Sequence, residues 1–151
     1  MSYNISKKFK FECAHKLNNL DDNHPCSCIH GHSYKVEVII FAKELNEQGF
    51  VIDFGKLKIF QKWLDDNFDH ALILTNNDTS IDSLPNNQKY YIMPDSYNNT
   101  SAENFAHLFT YHILNELNIK AYNNSINMIF VKVWETENNY AGYSVKIKLD
   151  S

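Results

Sequence analysis

Two stretches of two-residue alternation constrain this chain more than anything else in it. From Ser6 to His15, Phe9, Phe11, Cys13 and His15 share one face, while Lys8, Lys10 and Glu12 share the other. From Tyr34 to Ala42, Tyr34, Val36, Val38, Ile40 and Ala42 alternate with Lys35, Glu37, Ile39 and Phe41. Successive side chains of a strand point to opposite faces, so each run is a strand with one buried row. The inner row of the first strand ends in a histidine, a residue with chemistry to offer.

The pattern then changes period. Leu57, Phe60, Leu64 and Phe68 fall at helical spacing within Phe54 to Phe68, with lysines and aspartates opposite and Asp53 placed as the N-cap. Thr100 and Glu103 have capping-box spacing ahead of a second helix with Phe105, Leu108, Phe109, His112, Ile113 and Leu117 on its apolar stripe. Asn127 to Glu135 reads as a third strand, with Ile129, Val131 and Val133 on one face and Glu135 ending that row. Tyr143, Val145, Ile147 and Leu149 mark a fourth. Thr75 to Asn99 is polar, turn-rich and longer than an ordinary loop, so it is expected to hold a short strand or to cover a site. The expectation is an α+β fold, a four-stranded antiparallel sheet with two helices on one face. Its two open edges suit subunits that join sheet to sheet.

At 151 residues the chain is expected to form a single domain, residues 1–151. The formal net charge of −4 disfavours a duplex nucleic-acid partner. No apolar run is long enough to span a bilayer, and Met1 to Lys10 lacks the apolar core of a secretion signal, so a cytoplasmic location is expected. All 14 cationic residues are lysines. Bidentate guanidinium clamps on phosphate are therefore absent from the chain. The three cysteines cluster at Cys13, Cys26 and Cys28, an arrangement that suits thiol or metal chemistry better than a disulfide framework.

The densest chemistry is Cys26-Ser-Cys28-Ile-His30-Gly-His32. Four metal-capable side chains sit at alternate positions and project to one side if the segment is extended. A hairpin-like return brings His15 beside His30 and His32. Three neutral imidazoles would leave zinc its full charge and an open position, which favours Lewis-acid work. A closed site of Cys26, Cys28, His30 and His32 would merely staple the fold. That closed alternative would make the chain a pterin- or purine-binding module without turnover. Asp69-His70 can act as an acid–base pair, with the carboxylate fixing the imidazole tautomer. Cys26 or Cys28 can serve as a thiolate base, whereas Cys13, within an apolar row, reads as a buried inert thiol. Glu135, at the end of a buried row, can accept two hydrogen bonds from an N–C–N donor edge such as that of guanine or a pterin. His24, His107 and His112 read as loop or packing histidines.

Taken in order, Phe11-Glu-Cys-Ala-His15, Cys26-x-x-x-His30-Gly-His32, Val51-Ile-Asp53-Phe54, Asp69-His70, Ser101-Ala-Glu103-Asn104 and Glu135 resemble the 6-pyruvoyl-tetrahydropterin synthase / 6-carboxytetrahydropterin synthase family over nearly the whole chain. The resemblance implies a tunnelling fold (T-fold) whose sheets join between subunits into a barrel, commonly a hexamer, with active sites between subunits. It implies Zn2+ on His15, His30 and His32, a catalytic thiol at Cys26, an acid–base pair at Asp69 and His70, and substrate contacts at Glu135 and Ser101. The implied substrate is 7,8-dihydroneopterin triphosphate. The implied reaction is conversion to 6-carboxy-5,6,7,8-tetrahydropterin with release of acetaldehyde and triphosphate, an early step toward queuosine. Elimination of triphosphate alone, as in the 6-pyruvoyl branch, is the alternative.

The chain departs from the family pattern in places. Thr100-Ser101 replaces Pro-Thr before Ala-Glu-Asn, Cys28 is an additional thiol inside the metal motif, and Phe68 replaces Leu before Asp-His. The segment Thr75 to Asn99 is longer than in compact members. Without arginine, the triphosphate falls to lysines, backbone amides or a neighbouring subunit.

Overall fold

The computed structural model describes residues 1–119, 122 and 126–148. In chain order the strands and α-helices are β1 (Tyr3–His15), β2 (His30–Ala42), α1 (Lys58–Asn67), β3 (Ala71–Thr75), β4 (Tyr90–Met93), α2 (Ala102–Glu116), β5 (Ile126–Trp134) and β6 (Tyr140–Lys146). The strands form one sheet in the order β4-β3-β1-β2-β5-β6.

The alternating stretches form the centre of that sheet. β1 and β2 pair antiparallel without a break from Tyr3↔Ala42 to His15↔His30. Their inner rows face the helices. Phe11 meets Phe68 and Phe109 edge-on and stacks on Tyr34, while Phe9 meets Phe60. Both helices therefore pack on the same face of the sheet, as the apolar rows require. Asp53 accepts a hydrogen bond from the Gly55 amide at 2.7 Å and caps the 3-10 turn Phe54–Leu57 that leads into α1. No helix among the described residues is long and apolar enough to cross a membrane.

Among the described residues the sheet has six strands, not four, and it is mixed rather than wholly antiparallel. β3 pairs parallel with β1, and β4 parallel with β3. All five residues of β3, Ala-Leu-Ile-Leu-Thr, are buried. A strand covered on both faces shows no alternation, and a five-residue apolar run resembles a helix fragment as much as a strand. β4 lies within the long polar segment, which does hold the short strand expected of it.

The second helix begins one residue later than its capping-box spacing suggests. Ser101 is the N-cap, and its side chain accepts from the Asn104 amide. Thr100 is buried instead, and its hydroxyl donates to the Lys16 carbonyl at 2.8 Å. The last residue of the fourth expected strand, Leu149, lies outside the described residues.

Candidate metal centre and active site

The β1–β2 register fixes the centre. His15 faces His30 across the ladder, and Cys13 faces His32. Two-residue spacing puts His30 and His32 on the same face, so three imidazoles converge at the end of the hairpin. One nitrogen from each lies within 4.8 Å of the others. Among the described residues no cysteine belongs to that cluster. The expected hairpin return is what brings His15 to the pair.

Hydrogen bonds select which nitrogens converge. His15 Nδ1 is 2.7 Å from the Thr100 carbonyl, and His30 Nδ1 is 2.8 Å from the Cys28 carbonyl. A carbonyl only accepts, so both Nδ1 atoms carry a proton and Nε2 is left bare in the neutral ring. Burial of His15, whose exposure is 0%, pushes its pKa below the ordinary imidazole value. That favours the neutral form a metal needs. Three such nitrogens can hold a divalent cation with room for a further ligand.

Glu135 follows directly on β5 and reaches the centre. Its Oε1 lies 3.6 Å from His15 Nε2 and 3.3 Å from the Tyr34 hydroxyl, and its side chain is 32% exposed. Tyr34 itself is 1% exposed and stands 3.2 Å from His15 Nε2. Burial first, and with it the Glu135 carboxylate, raises the Tyr34 hydroxyl well above its usual range. Tyr34 is therefore a neutral donor. Its place in an alternating apolar row makes it look like core packing. The available signal was its spacing of two from His32, which puts it on the ligand face.

The other expected site residues stand as follows. Cys26 is half-buried in the 3-10 turn Pro25–Ser27, its amide donating to His24 Nδ1 and its carbonyl accepting from Leu17 at 2.7 Å. Cys28 is exposed. Cys13 is buried, and that burial raises its thiol far above the ordinary range, in line with an inert role. Asp69 accepts from the Glu12 amide at 2.9 Å and lies 2.8 Å from His70 Nδ1. Burial acts to raise the Asp69 carboxyl, but the Glu12 amide and His70 outweigh it and hold it below the usual value. His70 has a φ of 57°, a left-handed backbone held by its own amide, which donates to the Glu12 carbonyl at 2.6 Å. Such a conformation costs roughly 1–3 kcal/mol, and here it presents the ring outward.

The His70 ring is 76% exposed and is not part of the histidine cluster. It lines an open recess of about 610 Å³ with Glu12, Ser33, Leu72, Leu84 and Gln88, which also reaches His32. Glu12 and Ser33 are a cross-strand pair on the face away from the helices. The fold thus gathers His15, His30, His32, Tyr34 and Glu135, while His70 lies outside that cluster along a recess that reaches His32. Ser101 is engaged in capping α2, one residue beyond the carbonyl that orients His15.

Comparison with known proteins bears on the family and the fold. The model of the 6-pyruvoyl tetrahydropterin synthase family matches residues 4–146. The 6-carboxy-5,6,7,8-tetrahydropterin synthase of Rickettsia conorii is 34% identical over 138 residues, spanning 88% of this chain and 94% of that protein. The protein of the same name from Aquifex aeolicus is 30% identical, spanning 95% and 98%. The crystal structure of Plasmodium vivax 6-pyruvoyl tetrahydropterin synthase superimposes with a TM-score of 0.79 over 97% of this chain and 99% of that one, at 20% identity, which speaks to the fold alone. A family match along almost the full chain, joined to a shared T-fold, makes this chain a member of the 6-pyruvoyl tetrahydropterin synthase family of enzymes.

Proposed function

We propose that the chain is a zinc-dependent 6-carboxy-5,6,7,8-tetrahydropterin synthase. It would convert 7,8-dihydroneopterin triphosphate and one water to 6-carboxy-5,6,7,8-tetrahydropterin, releasing acetaldehyde and triphosphate. The observation that carries the reading is the cluster of three imidazole nitrogens within 4.8 Å beside Glu135. The curated relatives named for this activity share about a third of their residues with the chain.

The donor set suits zinc. His15, His30 and His32 offer neutral nitrogens, two of them oriented by carbonyls, with no thiolate among them. Zinc held there would supply Lewis acidity toward the hydroxyls of the substrate side chain. The remaining work falls to the chain. Glu135 accepts hydrogen bonds from the N–C–N edge of the pterin and fixes the ring's position. Cys26, as thiolate, removes a side-chain proton at Sγ. His70 carries the second proton transfer, with Asp69 holding its Nδ1 proton so that Nε2 faces the substrate. Ser101 stands at the start of α2, where the family pattern puts a substrate-contacting hydroxyl.

The exposure of His70, which lies outside the histidine cluster, favours active sites completed by a second copy. In that arrangement the exposed His70 of one subunit serves the cluster of its neighbour, in an expected homo-hexamer. Open strands β4 and β6 at the sheet edges suit such assembly.

The test is incubation of the zinc-loaded protein with 7,8-dihydroneopterin triphosphate and identification of both fragments. Acetaldehyde together with 6-carboxytetrahydropterin supports the proposal. Triphosphate release without acetaldehyde assigns the chain to the 6-pyruvoyl branch instead. Binding without any release leaves only a pterin-binding module.

A further inference from the structure

The Tyr34 hydroxyl has one proton and two acceptors within reach, His15 Nε2 at 3.2 Å and Glu135 Oε1 at 3.3 Å. Its ring is fixed. It stacks on Phe11 at 4.9 Å with 4° between planes and meets Phe105 at 5.7 Å. The oxygen therefore cannot move away from either partner without disturbing the core. The choice between them is made by where the proton points.

His15 Nε2 is bare because its Nδ1 proton is committed to the Thr100 carbonyl. With no cation present, that lone pair competes with Glu135 for the phenol proton. A cation bound at Nε2 takes the lone pair, and Glu135 is then the acceptor that remains. We infer that Tyr34 is a positioning residue that couples occupancy of the histidine centre to the orientation of Glu135. Cation binding directs the phenol proton to Oε1, holds that oxygen, and turns the other carboxylate oxygen toward the ligand. No covalent bond changes; one hydrogen bond is redirected.

This inference rests on the reading of Glu135 as the pterin anchor. The probe is pterin itself, the ring without a side chain, which can reach Glu135 but offers no hydroxyl to the metal centre. Its binding is followed by its own fluorescence. Zinc-loaded wild type is expected to bind it about tenfold more tightly than chelator-stripped wild type, the scale of one hydrogen bond to a charged group. Tyr34→Phe keeps the ring stack and removes only the hydroxyl. It is expected to bind pterin about tenfold more weakly in the zinc form, to be insensitive to stripping, and to bind zinc with affinity close to wild type. Tyr34→Phe should add nothing further in a Glu135→Ala background, because the acceptor of the same bond is then gone.

The outcomes separate cleanly. If Glu135→Gln leaves pterin binding unchanged, the anchoring role fails and the coupling with it. If Glu135→Gln weakens binding while Tyr34→Phe does not, or if the effects of Tyr34→Phe and Glu135→Ala add in full, the anchor stands and the coupling is overturned. Equal pterin affinity in loaded and stripped wild type overturns the coupling without any variant.

Discussion

At the scale of single residues, the centre depends on which nitrogen of each histidine is free. The Thr100 and Cys28 carbonyls make that choice for His15 and His30. His15→Ala is expected to abolish stoichiometric zinc binding, checked by elemental analysis of the purified protein. Cys26 lies outside the ligand cluster, so Cys26→Ala should lower turnover by about 100-fold or more while zinc content is retained. Zinc lost together with activity would show the thiol to be a ligand. Asp69 supplies a pH dependence. Its folded-state pKa is depressed, so its contribution to stability is full above the unfolded carboxyl value, about 3.9, and is lost as pH falls through the lower folded value. Asp69→Asn should therefore destabilise the protein at neutral pH, and the difference from wild type should shrink in acid. Urea unfolding at several pH values measures it.

At the scale of elements, the β1–β2 hairpin is the scaffold and α2 its buttress. Thirteen consecutive residue pairs keep the hairpin in register, and a slip of one would put His15 on the face opposite His30 and His32. The N-terminus of α2 matters because Ser101 caps it next to the Thr100 carbonyl that orients His15. Ser101→Ala is expected to cost about 1 kcal/mol of stability in urea unfolding, and Ser101→Asn to recover most of it. Activity that falls equally in both variants would point to a substrate contact through the hydroxyl. Activity that follows stability would point to the cap alone. Strand β3 was hidden in the sequence for a physical reason. Ala71 to Thr75 is covered on both sides, so it lacks the two-residue rhythm that made β1 and β2 plain.

At the scale of the whole molecule, the proposed function brings the Asp69–His70 pair of one copy to the histidine cluster of another. The ring of His70 is exposed and faces a recess shared with Glu12 and Ser33. Sites shared between copies predict complementation. Cys26→Ala and His70→Ala should each be inactive alone. When they are unfolded and refolded together in equal amounts, about a quarter of wild-type activity should return if each site draws its two residues from different chains. Absence of recovery, in mixed oligomers verified by mass, would mean that one chain supplies both residues. Sedimentation should give a multiple of the chain mass, with six copies expected.

The amino-acid sequence by itself determined the parts that rest on local periodicity and spacing. These are the two long strands, the two helices, and the His15, His30 and His32 set, whose convergence follows from a hairpin and a period of two. Glu135 was legible as a carboxylate ending an apolar row. Only the tertiary structure decided the rest, because it depends on groups distant in the chain. The Thr100 carbonyl orients His15 across 85 residues, and Tyr34 meets Glu135 across 101. β3 and β4 join the sheet in parallel, through connections that local pattern does not encode. A side chain in an apolar row looks like packing until the fold shows what stands beside its one polar atom. That is why Tyr34 became visible as part of the site only in three dimensions.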